Sequence, residues 1–144
     1  MLTLSKVQRL LIDKKIEFNW GDPLEKKCIE YVTKLGNKIS MRFETSSSLK
    51  ADLIKKLEIQ NLNGNKFTRT YSIDVNNPNM LNTVETLYVG DKLQRSTSNK
   101  FLYDGSVGYN PQKLLNVVTN ETRIIKKMPV LSHKTISFNP LRFL

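Results

Sequence analysis

The chain has 144 residues, 39% of them apolar, and its 23 Lys and Arg outnumber 13 Asp and Glu to give a net charge of +10. This length suits one domain with a core of its own, and the apolar fraction excludes a freely disordered chain. One cysteine and one histidine exclude an internal disulfide and a cysteine-based zinc site, and no run approaches the ~20 apolar residues of a membrane span.

The first predicted element is a helix over residues 5–15. Ser5 and Gln8 form a capping-box pair, and Val7, Leu10 and Leu11 form an apolar stripe. Four cations against one acid on the remaining faces favour contact with phosphates. These cations are Lys6, Arg9, Lys14 and Lys15.

Residues 16–20 alternate between apolar and polar and predict a short strand or extended connection. A second helix is predicted from Pro23 to residue 35, with Asp22 as its N-cap and Gly36 as its left-handed stop. Its apolar face consists of Leu24, Cys28, Tyr31, Val32 and Leu35. Cys28 is therefore expected to be a small core residue and not a nucleophile.

A strand followed directly by a helix is predicted at the centre of the first half. Residues 38–44 alternate between polar and apolar side chains, as in a strand with one face on a core. The serines at 46–48 are potential helix caps. Apolar residues then recur at helical spacing over residues 49–57, namely Leu49, Leu53, Ile54 and Leu57.

The second half is predicted to contain more strands and a final helix. Asn110 caps that helix and Pro111 begins it. Two ends stay open: the helix ends at Asn120, or it runs on through Ile124 and Ile125. The segments before it are a turn at 61–65, a strand at 67–75, a loop at 76–79, a strand at 84–89, a turn at Gly90 and Asp91, an exposed hairpin tip at 95–100 and a short strand at 101–103.

Positive charge is concentrated toward the carboxyl end. Residues 92–144 contain 9 cations and 2 acids, and residues 123–144 contain five cations and no acid. Basic and apolar residues alternate in this last stretch, a composition typical of an arm that becomes ordered against a partner. We therefore predict one domain over residues 1–120 and a basic arm over residues 121–144.

The sequence contains no recognisable catalytic constellation. His133 has no acid beside it, the acids are scattered, and no second cysteine is present for redox chemistry. We therefore predict that the protein is not an enzyme and uses no cofactor or metal.

Four segments carry a resemblance to a known family: KISMRFETSSSLKADLIKKL at 38–57, FTRTYSIDV at 67–75, VETLYVGDKL at 84–93 and NPQKLLNVV at 110–118. Their order resembles the thioredoxin-like family shared by several mitochondrial ribosomal proteins and a small respiratory complex I subunit. The resemblance implies an α/β fold (α+β remains possible), with a small mixed sheet in the order β-α-β-β-β-α. It also implies a basic, non-catalytic mitochondrial protein that docks on ribosomal RNA and neighbouring proteins.

The favoured function is a structural component of a ribonucleoprotein that binds RNA and proteins, most simply in the mitochondrial ribosome. Two alternatives stay open: a free-standing viral or plasmid nucleic-acid-binding or inhibitor protein, and a protein–protein adaptor. Aromatic residues such as Phe67 and Tyr88 could stack on bases, but their spacing fits a core better. The predicted RNA contacts are Lys6, Arg9, Lys14, Lys15, Arg95, Lys100, Lys113, Arg123, Lys126, Lys127, Lys134 and Arg142.

Overall fold

The computed structural model describes residues 2–20, 27–47, 50–105, 109–125 and 128–137, with backbone alone from residue 124 onward. Within these residues, one helix accompanies nine strands that pair in sequence order into a single antiparallel sheet. The helix is α1 (Leu4–Asp13), and a 3-10 turn spans Pro111–Lys113. The strands are β1 (Asn19–Trp20), β2 (Cys28–Val32), β3 (Lys38–Ser46), β4 (Ala51–Gln60), β5 (Lys66–Ile73), β6 (Met80–Val89), β7 (Lys92–Tyr103), β8 (Leu114–Ile125) and β9 (Met128–Ser137).

Helix α1 confirms the first predicted element and covers one half of the sheet. Its N-cap is Thr3, not Ser5: the Thr3 hydroxyl accepts a hydrogen bond from the backbone N–H of Lys6 at 3.3 Å. Buried side chains of the helix pack on β2, β3 and β4 in one core, which consists of Leu4, Val7, Leu11, Ile29, Met41, Phe43 and Ile54. Burial of a side chain of this size stabilises the fold by about 1.5–3 kcal/mol, so packing holds the helix in place.

In the other half of the sheet, β5 to β8, polar side chains bond across the strands in addition to the backbone pairing. The Asn99 amide donates to the Thr83 hydroxyl at 3.3 Å, and the Thr119 hydroxyl donates to the Asn99 carbonyl at 2.7 Å, which joins three neighbouring strands. The hydroxyls of Thr68 and Thr86 are hydrogen bonded in the same way. A small second core of Leu81, Tyr103 and Tyr109 closes one end of this half.

The predicted α/β class, with its thioredoxin-like order of helices and strands, is wrong. The second predicted helix is replaced over its described part by β2, and residues 21–26 lie outside the described residues. Ile29, which was not on the helical stripe, is fully buried at the centre of the core. Gly36 has the predicted positive φ, 87°, but it turns a hairpin between β2 and β3. Cys28 is buried, as predicted, on a strand.

The predicted helix over residues 49–57 is also wrong, and a bulge explains why. Strand β4 contains one extra residue, Lys55, where its pairing with β3 shifts register. The bulge puts Ile54 and Leu57 on the same face although they are three positions apart. Apolar side chains spaced three residues apart are typical of a helix. The bulge produces the same spacing in a strand, and for this reason the segment was predicted to be helical.

The final predicted helix stops after one turn. Asn110 does act as the N-cap, as predicted: its side chain accepts a hydrogen bond from the Gln112 backbone N–H at 3.0 Å. Only Pro111–Lys113 is helical, however, and β8 follows directly. Strand β8 has its own register shift against β7, near Tyr103. Its β-branched residues, such as Val117 and Val118, favour a strand.

The predicted hairpin tip and extended arm are wrong as well. Residues 95–100 lie in the middle of β7, and the segment is polar because its side chains join the hydroxyl and amide ladders. Strands β8 and β9 occupy residues 121–125 and 128–137, where an arm was predicted, and the proposed boundary at residue 120 falls inside β8. The strands near 38–44, 67–75 and 84–89, and the turns between them, are confirmed.

Candidate anion-binding groove

The predicted RNA contacts whose side chains the structure describes do not form one surface. Eight of the twelve predicted contacts have described side chains. The backbone of Lys134 lies on β9 opposite Thr119, but its side chain lies outside the described part, as do all of Lys126, Lys127 and Arg142.

Two of the predicted contacts are already engaged by an acid. Arg95 and Arg123 lie opposite each other on β7 and β8, and both approach one carboxylate oxygen of Glu121, at 3.9 Å and 2.5 Å. The hydrogen bond and the charge of Glu121 raise the pKa of Arg123. This carboxylate offsets part of the positive charge that the pair would offer to a phosphate.

Four other predicted contacts are exposed and scattered. Lys6 and Arg9 lie on the solvent face of α1, and Lys113 ends the 3-10 turn. Lys100 lies on β7 near Asp74, whose pKa is lowered mainly by a hydrogen bond from the Asn76 backbone and further by this lysine. No common surface follows from these positions.

The last two predicted contacts, Lys14 and Lys15, line a groove of about 770 Å³ at the edge of the sheet. Strand β1 pairs with β2 only through Asn19 and Trp20. The residues between α1 and β1 are not paired with β2, and a gap separates them from that strand. We call this gap the lysine groove. It is lined by residues 14–17, 19, 30–34 and 38.

The end of α1 directs the two lysines into this gap. Lys15 has a φ of 55°, the left-handed conformation that commonly follows a helix, and the next N–H, of Ile16, donates to the Leu11 carbonyl at 2.8 Å. A positive φ is strained for a residue with a Cβ. The chain thus reverses direction directly after the helix, and the side chains of Lys14 and Lys15 line one wall.

The opposite wall comes from the β2–β3 hairpin and adds Lys34 and Lys38. Among the described residues, no acid lies within ion-pair distance of any of the four groove lysines. Several lysines elsewhere are paired, for example Lys27 with Asp52 at 3.5 Å and Lys55 with Glu44 at 3.2 Å. The groove therefore gathers cations that the fold itself does not use.

The groove also contains groups that are not cationic. Glu17 and Glu30 line it, as do Asn19, Thr33 and Tyr31. Burial raises the pKa of the Tyr31 phenol. The formal charge of the lining is four lysines against two glutamates, which attracts an anion and leaves acceptors for hydrogen-bond donors.

Sequence reasoning missed Lys34 and Lys38 because it placed them around the end of a helix. The signal that would have found them is the stretch Lys34, Leu35, Gly36, Asn37 and Lys38, read as a hairpin turn. In a hairpin the two lysines flank one tight turn and lie at the same end of the sheet.

Several of the aromatic residues belong to the core or pack against it, as predicted. Tyr103 is buried, and Tyr71 and Phe101 pack against the buried clusters. Phe67 contacts Arg69 of its own strand, 5.6 Å from the ring centre, and Tyr88 contacts Lys66 of the neighbouring strand β5, 5.3 Å from the ring centre.

Within the described residues, no three His, Cys, Asp or Glu side chains come together as metal ligands, and no helix is long and apolar enough to cross a bilayer. Comparisons with protein-family models, curated proteins and solved structures gave no significant match.

Proposed function

We propose that this protein is a non-catalytic RNA-binding component of a ribonucleoprotein, and that the lysine groove holds the RNA backbone. The observation that carries the proposal is the convergence of Lys14, Lys15, Lys34 and Lys38 on one concave surface. Ion pairs to a polyanion release its counterions, and this supplies affinity without any sequence preference.

The net charge of the chain supports the same partner. A charge of +10 raises the local concentration of polyanions around the whole molecule, and the groove provides a place for them to bind. The ribosomal and mitochondrial assignments came from a family resemblance whose implied fold is wrong. They stay predictions, and the present proposal depends only on the groove.

The test is the salt dependence of RNA binding, measured by fluorescence anisotropy of a short labelled oligonucleotide. Four lysine–phosphate contacts give a slope of log affinity against log salt of about −2.8, because each contact contributes about 0.7 on a single strand. Lys34→Gln with Lys38→Gln is expected to weaken binding at every salt concentration and to reduce the slope by about 1.4.

The matched control is Lys92→Gln with Lys113→Gln, which removes the same charge at exposed positions outside the groove. We expect this control to retain most of the affinity and the slope. Equal losses in both double variants would mean that overall charge, and not the groove, binds RNA. Absence of salt-dependent binding in the wild type would reject the function and favour a protein–protein adaptor.

A further inference from the structure

Exposed apolar side chains lie directly beside the lysine groove. Val32 lines it and is 63% exposed, and Leu35, in the adjoining hairpin turn, is 82% exposed. Leu62, 81% exposed, comes from the neighbouring β4–β5 turn and lies over Gly36, where an added Cβ would be 2.9 Å from its Cδ1 atom. These three side chains form an exposed apolar surface. Binding of phosphates by lysines does not account for this surface.

The two carboxylates of the groove point to the same kind of ligand. Glu17 and Glu30 repel phosphates, so a ligand of phosphates alone is opposed by part of the lining. Carboxylates do accept hydrogen bonds from the exocyclic amines of bases, as in the pairing of Glu or Asp with cytosine. Asn19 and Thr33 add further hydrogen-bonding groups on the same surface.

Unpaired bases reach these groups more readily than paired bases do. In an A-form duplex the Watson–Crick edges are hidden and the deep major groove excludes side chains, whereas a single strand can turn its bases outward. Apolar side chains then cover the base faces while lysines contact the backbone. Given the proposed function, we infer that the lysine groove selects single-stranded RNA and that Leu35 and Leu62 contact its bases.

The experiment uses the full chain with Leu35→Ser and Leu62→Ser combined. Both side chains are exposed, so we expect the free energy of unfolding to change little. Val75→Ser, in the loop after β5, is the control because Val75 is 98% exposed and lies outside the groove. Four probes are compared: a single-stranded RNA, the duplex of the same sequence, inorganic polyphosphate, and vesicles containing phosphatidylserine.

We expect the wild type to prefer the single strand over the duplex. The double serine variant should lose roughly threefold to tenfold in affinity for the single strand, since contacts to bases are removed, with an unchanged salt slope. Its affinity for polyphosphate, which has no bases, should not change. Val75→Ser should match the wild type with every probe.

Two results would overturn the inference without touching the proposed function. One is equal affinity for single strand and duplex while Lys34→Gln with Lys38→Gln weakens both. The other is a loss of vesicle binding in the serine variant with unchanged binding to the single strand, which would make the leucines a membrane contact. A wild type that binds no RNA would instead reject the proposed function.

Discussion

The two halves of the sheet are stabilised in different ways. In the helix-covered half, β2 to β4, α1 buries leucine and valine side chains on one face of the sheet. In the ladder half, β5 to β8, no described helix packs on the strands, and hydroxyl and amide side chains bond across them. Apolar burial is non-directional, whereas each ladder bond needs its partner at a fixed register.

The candidate site lies on the helix-covered half, where α1 ends. That half provides a rigid core behind the groove and a tight turn that carries Lys15. The ladder half supplies length and a polar surface, and its best-placed arginines share Glu121. The difference suggests that one half positions the binding residues and the other extends the sheet.

The largest expected difference between the halves comes from core truncation. Leu11 is 2% exposed, and Leu11→Ala should reduce the free energy of unfolding by about 2–5 kcal/mol, through lost transfer energy and the cavity left under α1. Val84, in the ladder half, is 41% exposed, and Val84→Ala should cost under about 1 kcal/mol. Urea denaturation checks both values, and a cost of under about 1 kcal/mol for Leu11→Ala would contradict the role of the core under α1.

A smaller effect is expected for the ladder itself. Thr83 is 4% exposed and accepts a hydrogen bond from Asn99, so Thr83→Val should cost about 1 kcal/mol, the usual net value of such a bond. A double-mutant cycle with Asn99→Ala, followed by denaturation, isolates the pair. A coupling energy of zero would show that the ladder is only a consequence of the strand pairing.

The smallest expected effect is an increase in the free energy of unfolding. Lys15 adopts a positive φ that glycine tolerates better, so Lys15→Gly should stabilise the protein by up to about 1 kcal/mol, less any loss from the cation at the helix end. The same variant should bind RNA more weakly because a groove lysine is missing. Thermal melts and anisotropy together separate the two effects, and stronger RNA binding would contradict the role of Lys15.

Sequence patterns predicted the local structure only where one periodicity was unambiguous. The alternation of Ile39, Met41 and Phe43 identified β3, and the residues around Gly90 identified a turn. The spacing of Ile54 and Leu57 led to a wrong helix prediction, because the sequence does not reveal the bulge at Lys55. In the same way, polar β7 looked like a loop because its partners on β6 and β8 were unknown.

The site was half predicted for the same reason. Lys14 and Lys15 were selected from charge on a correctly predicted helix. The β2–β3 hairpin brings Lys34 and Lys38 to the same groove. These two lysines were missed because the segment before Gly36 was predicted to be a helix. Charge counts also could not show that Arg95 and Arg123 would share one acid across neighbouring strands.

Lysine footprinting tests the central claim most directly. The protein is acetylated at low reagent concentration with and without a single-stranded RNA, and each modified lysine is quantified by mass spectrometry. Protection of Lys14, Lys15, Lys34 and Lys38, with Lys92 and Lys113 modified equally in both samples, is the predicted result. Uniform protection of all these lysines, or protection confined to positions outside the groove, would contradict it.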